Sequence, residues 1–198
     1  HILPHINFNL EKHIPSQAGL GGGSSDATYT LRLLNKLCQL NLNSATLHQY
    51  AVRLGADCAF FVTATPAFAT GIGDILEPMN AECAHLHGMY LLIVKPTVAI
   101  STAQAFAFVK PQPTLIKCKD IVAQPVNSEW RNHLTNNFEV SAFKLHPEMH
   151  TIKEQLYNMG ALYAQMSGSG SAFFGIFNTP PTLTANHFNG MFTYLCQL

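Results

Sequence analysis

Residues 15–25 form a glycine-rich segment that constrains the fold more than any other part of the sequence. Glycine allows backbone N–H groups to approach an anion closely because it has no Cβ atom. The pattern after this segment predicts a helix beginning near Ser24, and the free N–H groups and positive dipole at its start would face the same anion. We interpret the segment as a polyphosphate cradle and call it the glycine loop. Its residues are Pro15, Ser16, Gln17, Ala18, Gly19, Leu20, Gly21, Gly22, Gly23, Ser24 and Ser25.

Two familiar phosphate-binding patterns do not fit the glycine loop. A Walker loop carries lysine directly after its last glycine, where this chain has Ser24. A dinucleotide-binding fingerprint has an acidic residue about 20 positions further on, and none stands there. A flexible loop that ends in a helix cap at Ser24 remains the alternative. Asp26 would repel a phosphate if it pointed inward, so we expect its side chain to point away from the nucleotide.

Composition limits the classes of partner. The 198 residues include 11 Lys and Arg against 11 Asp and Glu, which argues against a nucleic-acid partner because phosphate neutralisation needs basic residues. No apolar run reaches the about 20 residues of a membrane span, and no secretory signal opens the sequence. The five dispersed cysteines fit reduced thiols rather than a metal site. We therefore expect a cytoplasmic protein with a small-molecule partner, no protein metal site and no membrane partner.

Hydrophobic periodicity predicts an α+β fold with two domains, residues 1–88 and 89–198. Ser44 and Ser101 are predicted to cap helices, and a last helix is predicted after Pro180-Pro181. The expected strands are residues 6–10, 68–73, 89–94, 161–166, 172–177 and 192–195, and the expected helices are 24–40, 44–54, 101–108, 148–158 and two short segments within 127–143, with a loop at 111–113.

Two further positions carry candidate chemistry. Asp57 precedes a run of aromatic residues, and its spacing alone favours an N-cap for a short helix at residues 58–62. Residues 167–171, which we call the serine loop, read Ser-Gly-Ser-Gly-Ser between two predicted strands, so an ordinary hairpin turn explains them as well as a binding role does.

Several motifs in the same order resemble those of the GHMP kinases. The glycine loop resembles the second motif of that family, and its triple glycine is more similar to one branch, the 4-diphosphocytidyl-2-C-methyl-D-erythritol kinases. Residues 55–61 resemble Gly-Ala-Asp-Val-Pro-Phe-Phe of that branch, with Cys58 and Ala59 departing from Val-Pro. Residues 69–74 resemble its Ala-x-Gly-x-Gly-Glu, and residues 166–171 resemble the third family motif.

The resemblance implies a fold and a mechanism. The fold would be a ribosomal-protein-S5-like N-terminal domain, here incomplete, with a ferredoxin-like C-terminal domain. The reaction would use ATP and Mg²⁺ to phosphorylate the 2-hydroxyl of the cytidine diphosphate-linked methylerythritol in non-mevalonate isoprenoid synthesis. Asp57 would act as the acid-base residue. Substrate or phosphate contacts would come from Thr102, Ser167, Gly168, Ser169 and Gly170.

The first motif of the family, Pro-x-Ala-Lys-Ile-Asn-Leu, has no match. Residues 4–8 are a superficial echo, with His5 where lysine would stand. We therefore expect the chain to lack an N-terminal segment that would also stack the cytosine ring, and to have weak or no activity alone. The alternatives are another GHMP kinase of the mevalonate or homoserine type, and an inactive nucleotide-binding protein. The oligomeric state is left open between monomer and homodimer.

Overall fold

The computed structural model describes residues 3–109 and 116–198 of the chain. These residues form two compact units, and the chain passes between them more than once. The N-terminal unit contains the residues up to Ser16 together with Gly21–Ala81, and the C-terminal unit contains Gln17–Leu20 together with Glu82–Leu198. The glycine loop is therefore divided between the units. Gln17–Leu20 belong to the C-terminal unit, and its first two and last five residues belong to the N-terminal unit.

The N-terminal unit is mostly helical. Its elements are α1 (Gly22–Leu37), α2 (Ser44–Leu54), a 3₁₀ helix (Ala56–Val62) and an antiparallel hairpin of β1 (Ala67–Thr70) and β2 (Ile75–Pro78). The buried hydroxyl of Thr28 in α1 donates to the Cys58 carbonyl over 2.9 Å, and the Arg32 guanidinium donates to the Phe61 carbonyl over 3.3 Å. These bonds fix the 3₁₀ helix beside α1.

The predicted strand at residues 6–10 is wrong. The structure assigns no strand to the described residues before α1, and most of them are exposed. Alternating apolar residues form a strand only when another strand completes their hydrogen bonds, and the described part of this unit offers them no neighbouring strand. The apolar stripe of the two helices faces an open groove, whose lining residues are Leu3, Leu31, Leu34, Leu40, Leu42, Tyr50, Arg53 and Leu54.

The C-terminal unit is built on a four-stranded antiparallel sheet with the order β4-β5-β3-β6. In this order the first strand of the unit lies between the third and the fourth, which is the ferredoxin-like arrangement that the motifs implied. The elements are β3 (Tyr90–Lys95), α3 (Thr102–Phe106), α4 (Cys118–Val122), α5 (Ser128–His133), α6 (Phe138–Leu145), α7 (Met149–Asn158), β4 (Tyr163–Met166), β5 (Phe173–Phe177) and β6 (Phe192–Gln197).

Both faces of this sheet are packed, as its sequence pattern requires. Successive side chains of a strand point to opposite faces. On β4, Ala164 and Met166 join a core that contains Met149 and Leu156 of α7. Tyr163 joins a second core on the other face, with Ile121, Trp130, Leu134 and Ile176. The α+β class is confirmed, and the core strands lie within two residues of their predicted positions.

Two helix predictions need correction. Asn43, not Ser44, caps α2, because the Asn43 side chain accepts the Thr46 N–H over 2.9 Å. No helix follows Pro180-Pro181. There the His187 ring accepts the Thr184 N–H over 3.2 Å, and this local turn competes with helix formation. The Ser101 cap is confirmed as a capping box with Gln104. The loop predicted at residues 111–113 lies outside the described residues.

Tyr163 gives a testable pH dependence of stability. Burial, followed by the neighbouring Tyr157 and Glu139, raises the pKa of its phenol well above the usual value of 10.0. The phenol therefore stays protonated in the folded protein at pH values where the unfolded chain loses the proton. The contribution of Tyr163 to the free energy of unfolding is therefore complete below about pH 10. It is lost as the pH rises towards the pKa of the phenol in the folded protein.

We expect the free energy of unfolding to fall above pH 10 more steeply in the unaltered protein than in Tyr163→Phe. The extra slope should approach about 1.4 kcal/mol per pH unit. Urea unfolding of both proteins at about pH 8, 10 and 11 measures the two slopes. The variant also loses the 2.9 Å hydrogen bond to the Leu134 carbonyl, so the slope and not the absolute stability is compared. Parallel slopes would contradict the prediction.

Candidate active site

The Gln17–Leu20 part of the glycine loop is bound to the serine loop within the C-terminal unit. The Ser167 hydroxyl donates to the Gly19 carbonyl over 2.8 Å. The Ala172 N–H donates to the Ala18 carbonyl over 3.0 Å, and the Ser171 N–H donates to the Gln17 carbonyl over 3.4 Å. The serine loop therefore holds the backbone of Gln17–Leu20, a role that the sequence did not predict.

Gly19 is required for this contact. Its φ of 70° lies in the left-handed region, and a Cβ atom built on it would stand 2.0 Å from the Ser167 carbonyl oxygen and 3.0 Å from the Gly170 nitrogen. Both neighbours are backbone atoms, so no side chain could move aside to make room. Only glycine lets the two loops approach this closely.

The second half of the glycine loop opens α1 in the N-terminal unit. Helix α1 begins at Gly22, two residues before the predicted start, and Gly21 is its N-cap with a φ of 66°. The N–H groups of Gly22, Gly23 and Ser24 donate no hydrogen bond to the described residues. Three adjacent free donors at the positive end of a 16-residue helix suit an anion.

The two adjacent serines at the end of the glycine loop, Ser24 and Ser25, differ in their bonding. The Ser25 hydroxyl donates to the Gly22 carbonyl over 2.9 Å and so is used within the first turn of α1. The Ser24 hydroxyl makes no hydrogen bond to the described part of the chain, and Ser24 does not cap the helix. Of this adjacent pair, Ser24 is therefore the serine with a hydroxyl available to a phosphate or to a metal ion.

Lys12 is a candidate site residue that sequence reasoning missed. Its ammonium group forms an ion pair with the Asp26 carboxylate, and it lies 3.9 Å from the point where a Cβ of Gly22 would stand. Asp26 is thus neutralised by a lysine beside the start of α1. Lys12 precedes the loop by only a few positions, but no local pattern distinguishes it from other surface lysines.

The remaining predicted loop residues have simpler surroundings. Pro15 is half-buried, Ser16 and Gln17 are exposed, and Ala18 is buried. Thr102 is the first residue of α3, directly after the Ser101 cap, and its side chain lies outside the described part of the structure.

Asp57 lies in the first turn of the 3₁₀ helix with its carboxylate exposed. The N-cap of that helix is Gly55, and no side chain caps it, so the alternative role of Asp57 as a cap is wrong. The carboxylate makes no hydrogen bond to the described residues. A Cβ on Gly73 would stand 3.2 Å from Asp57 Oδ1, so the hairpin turn between β1 and β2 approaches the carboxylate closely. No described residue therefore occupies the Asp57 carboxylate, although this turn lies beside it.

Lys95 supports the far end of the serine loop. Its ammonium group is buried and donates to the carbonyls of Pro96 and Val98 over 2.7 and 2.8 Å. The Ser171 hydroxyl donates to the same Val98 carbonyl. Burial lowers the pKa of Lys95 from its usual value. No role for Lys95 was predicted from the sequence.

Neither a metal cluster nor a membrane span is present in residues 3–109 and 116–198. No group of three or more His, Cys, Asp or Glu side chains there is arranged to hold a metal ion. No helix there has both the length and the apolar character needed to cross a bilayer. All five cysteines are free thiols.

Two family profiles match the chain. The profile described as the N terminal domain of GHMP kinases matches residues 1–65, and the one described as GHMP kinases C terminal matches residues 117–185. Each profile covers residues on which the candidate site depends, the glycine loop and Asp57 in the first and the serine loop in the second.

Two relatives similar in sequence to this chain have the same name. A 4-diphosphocytidyl-2-C-methyl-D-erythritol kinase of Bacteroides fragilis is 46% identical over 99% of this chain and 70% of its own length. The kinase of the same name from Bacteroides thetaiotaomicron is 49% identical over 92% of this chain and 65% of its own length. The chain thus spans about two thirds of the relatives it matches.

Solved structures agree with the fold. A crystal structure of 4-(cytidine 5'-diphospho)-2C-methyl-D-erythritol kinase superimposes with a TM-score of 0.69 at 31% identity, over 86% of this chain and 61% of that one. A homoserine kinase from Cytophaga hutchinsonii superimposes with a TM-score of 0.67 at 16% identity, over 94% of this chain and 68% of that one. At 16% identity the second likeness concerns the fold alone.

Proposed function

We propose that this chain, which belongs to the GHMP kinases and within them to the 4-diphosphocytidyl-2-C-methyl-D-erythritol kinases, takes part in transferring the γ-phosphoryl group of ATP to the 2-hydroxyl of that cytidyl substrate. The observation that carries the proposal is the turn at the start of α1. There three adjacent N–H groups lack partners among the described residues, in the segment that matches the phosphate-binding motif of the family.

Phosphoryl transfer depends on positioning and charge neutralisation more than on covalent chemistry. The N–H groups of Gly22, Gly23 and Ser24 would bind phosphate oxygens. The ammonium group of Lys12 would neutralise the Asp26 carboxylate beside them, which would otherwise repel the phosphates. When bound, Mg²⁺ neutralises charge on the phosphates. The free hydroxyl of Ser24 is an oxygen ligand of the kind Mg²⁺ accepts, so this residue fits such an ion.

Asp57 would orient the substrate hydroxyl and accept its proton. Its carboxylate is exposed and unpaired among the described residues, as an acid-base group that must meet a substrate requires.

The serine loop and Thr102 would serve the substrate or its phosphates. The Ser167 hydroxyl is already used on the glycine loop, so its contribution would be to hold that loop. The Ser169 hydroxyl makes no hydrogen bond to the described residues and would be the contact to substrate or phosphate, together with the backbone of Gly168 and Gly170. Thr102 would contact the substrate from the start of α3.

The free thiols and the near-neutral composition fit a cytoplasmic enzyme of the non-mevalonate isoprenoid route. Its partner would be a small molecule, and it would act as a monomer or a homodimer. The chain spans 70% or less of the relatives described above, so the activity is assigned to the whole natural protein that contains it.

A substrate panel tests the proposed function. The natural full-length protein is incubated with Mg²⁺-ATP and the cytidyl substrate, homoserine or mevalonate, and the phosphorylated products are measured. We expect phosphorylation of the cytidyl substrate only, and weak or no turnover by residues 1–198 alone. Turnover of homoserine or mevalonate instead would assign another GHMP reaction. Absence of any turnover with intact nucleotide binding would indicate an inactive nucleotide-binding protein.

A further inference from the structure

Asn136 lies in the short link between α5 and α6, outside every motif described above. Its side-chain amide donates to two backbone carbonyls of a distant segment, those of Met166 and Gly168, each over 2.8 Å. Its side-chain oxygen accepts the Phe138 N–H over 2.9 Å, which fixes the amide relative to the start of α6. Only a carboxamide supplies two donors and an acceptor in this arrangement.

The two carbonyls that Asn136 binds have different positions. Met166 ends β4, which is an edge strand of the sheet, and its outward N–H is already bound by the Glu139 carboxylate over 3.0 Å. The Lys153 ammonium group holds that carboxylate over 2.8 Å. Glu139 and Lys153 therefore secure the end of the strand. The second bond of Asn136 instead goes to the Gly168 carbonyl, which lies inside the serine loop.

The serine loop in turn holds the Gln17–Leu20 part of the glycine loop. Gly168 is adjacent to Ser167, whose hydroxyl binds the Gly19 carbonyl, and a Cβ on Gly168 would stand 3.2 Å from the same carbonyl oxygen. A shift of the Gly168 backbone would therefore disturb the contact with Gly19. A continuous series of bonds runs from Asn136 through Gly168 and Ser167 to Gly19, all within the C-terminal unit.

We propose that Asn136 is a positioning residue that holds the serine loop against Gln17–Leu20 and thereby sets the affinity for the nucleotide. All three of its side-chain hydrogen bonds go to backbone groups, so it would act on the nucleotide only through the loops. Leu20 is joined directly to Gly21, the N-cap of α1, so a loosened Gln17–Leu20 segment would loosen the donors that follow it. The statement about nucleotide affinity rests on the proposed function, and the statement about the two loops does not.

The matched variants are Asn136→Asp and Asn137→Asp. Aspartate at position 136 keeps the size of the side chain but replaces the two donors by a carboxylate that faces two carbonyl oxygens. The neighbouring Asn137 is exposed, and its side chain caps no helix, so Asn137→Asp adds the same charge without removing a hydrogen bond described here. Asn136→Ala is the milder second variant, which removes the donors without adding charge.

Amide hydrogen exchange in the natural full-length protein reports on the loops directly. The Ala172 N–H donates to the Ala18 carbonyl, so its exchange rate reports detachment of the two loops. The Gly170 N–H donates to the Ser167 carbonyl, so its exchange rate reports opening of the serine loop itself. We expect Asn136→Asp and Asn136→Ala to raise both rates about tenfold or more, since losing one hydrogen bond corresponds to about that factor. Amides of β3 and β5 should keep their rates, and Asn137→Asp should change none of them.

Titration with Mg²⁺-ADP supplies the second measurement. We expect the dissociation constant to rise about tenfold in Asn136→Ala and to stay within about twofold of the unaltered protein in Asn137→Asp. Unchanged exchange at Ala172 and Gly170 in both Asn136 variants would overturn the proposal, and so would raised exchange with unchanged ADP affinity. If the unaltered protein binds no ADP, the proposed function fails, whereas the exchange rates still decide whether Asn136 holds the loops.

Discussion

Gly19→Ala should both destabilise the protein and abolish most of its nucleotide binding. The new methyl group would stand 2.0 Å from the Ser167 carbonyl oxygen, a separation that requires the glycine loop and the serine loop to move apart. The left-handed φ of 70° adds about 1–2 kcal/mol for any residue with a Cβ. We therefore expect the free energy of unfolding to fall by more than about 2 kcal/mol.

The same separation should affect the nucleotide. Moving the loops apart breaks the bond from the Ser167 hydroxyl to the Gly19 carbonyl and the bond from the Ala172 N–H to the Ala18 carbonyl. We expect affinity for Mg²⁺-ADP to fall by about two orders of magnitude or more, because the loop must then pay the cost of ordering when the ligand binds. Urea unfolding and isothermal titration measure the two effects separately.

Gly23→Ala is the matched control for stability. Gly23 lies in α1, and a Cβ built on it meets no atom within 4 Å. Alanine favours a helix over glycine, so this variant should keep or raise the free energy of unfolding by up to about 1 kcal/mol. If Gly19→Ala proved as stable as Gly23→Ala, the close approach of Gly19 to the serine loop would be refuted.

The sequence predicted the parts of the fold that depend on local pattern. Strands β3 and β5 are largely apolar runs, which predict buried strands, and α2 ends at Leu54, where its pattern predicted, because Gly55 follows. The prediction of a strand at residues 6–10 was wrong because a strand needs a second strand to pair with. An alternating pattern in one segment does not show whether such a strand is present. The helix after residue 181 failed because the His187 ring closes a turn that propensity does not describe.

In the candidate site, too, the features set by local sequence were predicted, and those set by contacts between distant residues were not. The glycine loop was predicted because its composition itself determines its backbone chemistry, and the family that its motif implied is confirmed. The bond between Ser167 and Gly19 joins residues 148 positions apart, and no spacing rule predicts such a contact. Asn136 and Lys12 belong to no motif, so only the folded chain brings them to the two loops. The roles of Asp57, Thr102 and the loop residues stay predictions.

Asp57→Asn should abolish most phosphoryl transfer while leaving the fold and nucleotide binding nearly unchanged. An amide of the same size cannot accept the proton of the substrate hydroxyl, and loss of a general base typically lowers the rate about 10²–10⁴-fold. The carboxylate is exposed and makes no hydrogen bond to the described residues, so its replacement removes no bond that the structure shows. The free energy of unfolding should therefore change by less than about 0.5 kcal/mol.

Two measurements compare the natural full-length protein with its Asp57→Asn variant. Single-turnover phosphorylation of the cytidyl substrate measures the chemical step, and titration with Mg²⁺-ADP measures nucleotide binding. Asp120→Asn is the control, because Asp120 is an exposed aspartate on α4 in the other unit and should keep full turnover. Weaker ADP binding in Asp57→Asn would assign Asp57 to the nucleotide instead. Unchanged turnover would remove it from the mechanism, because an exposed carboxylate without partners then needs no explanation beyond solvation.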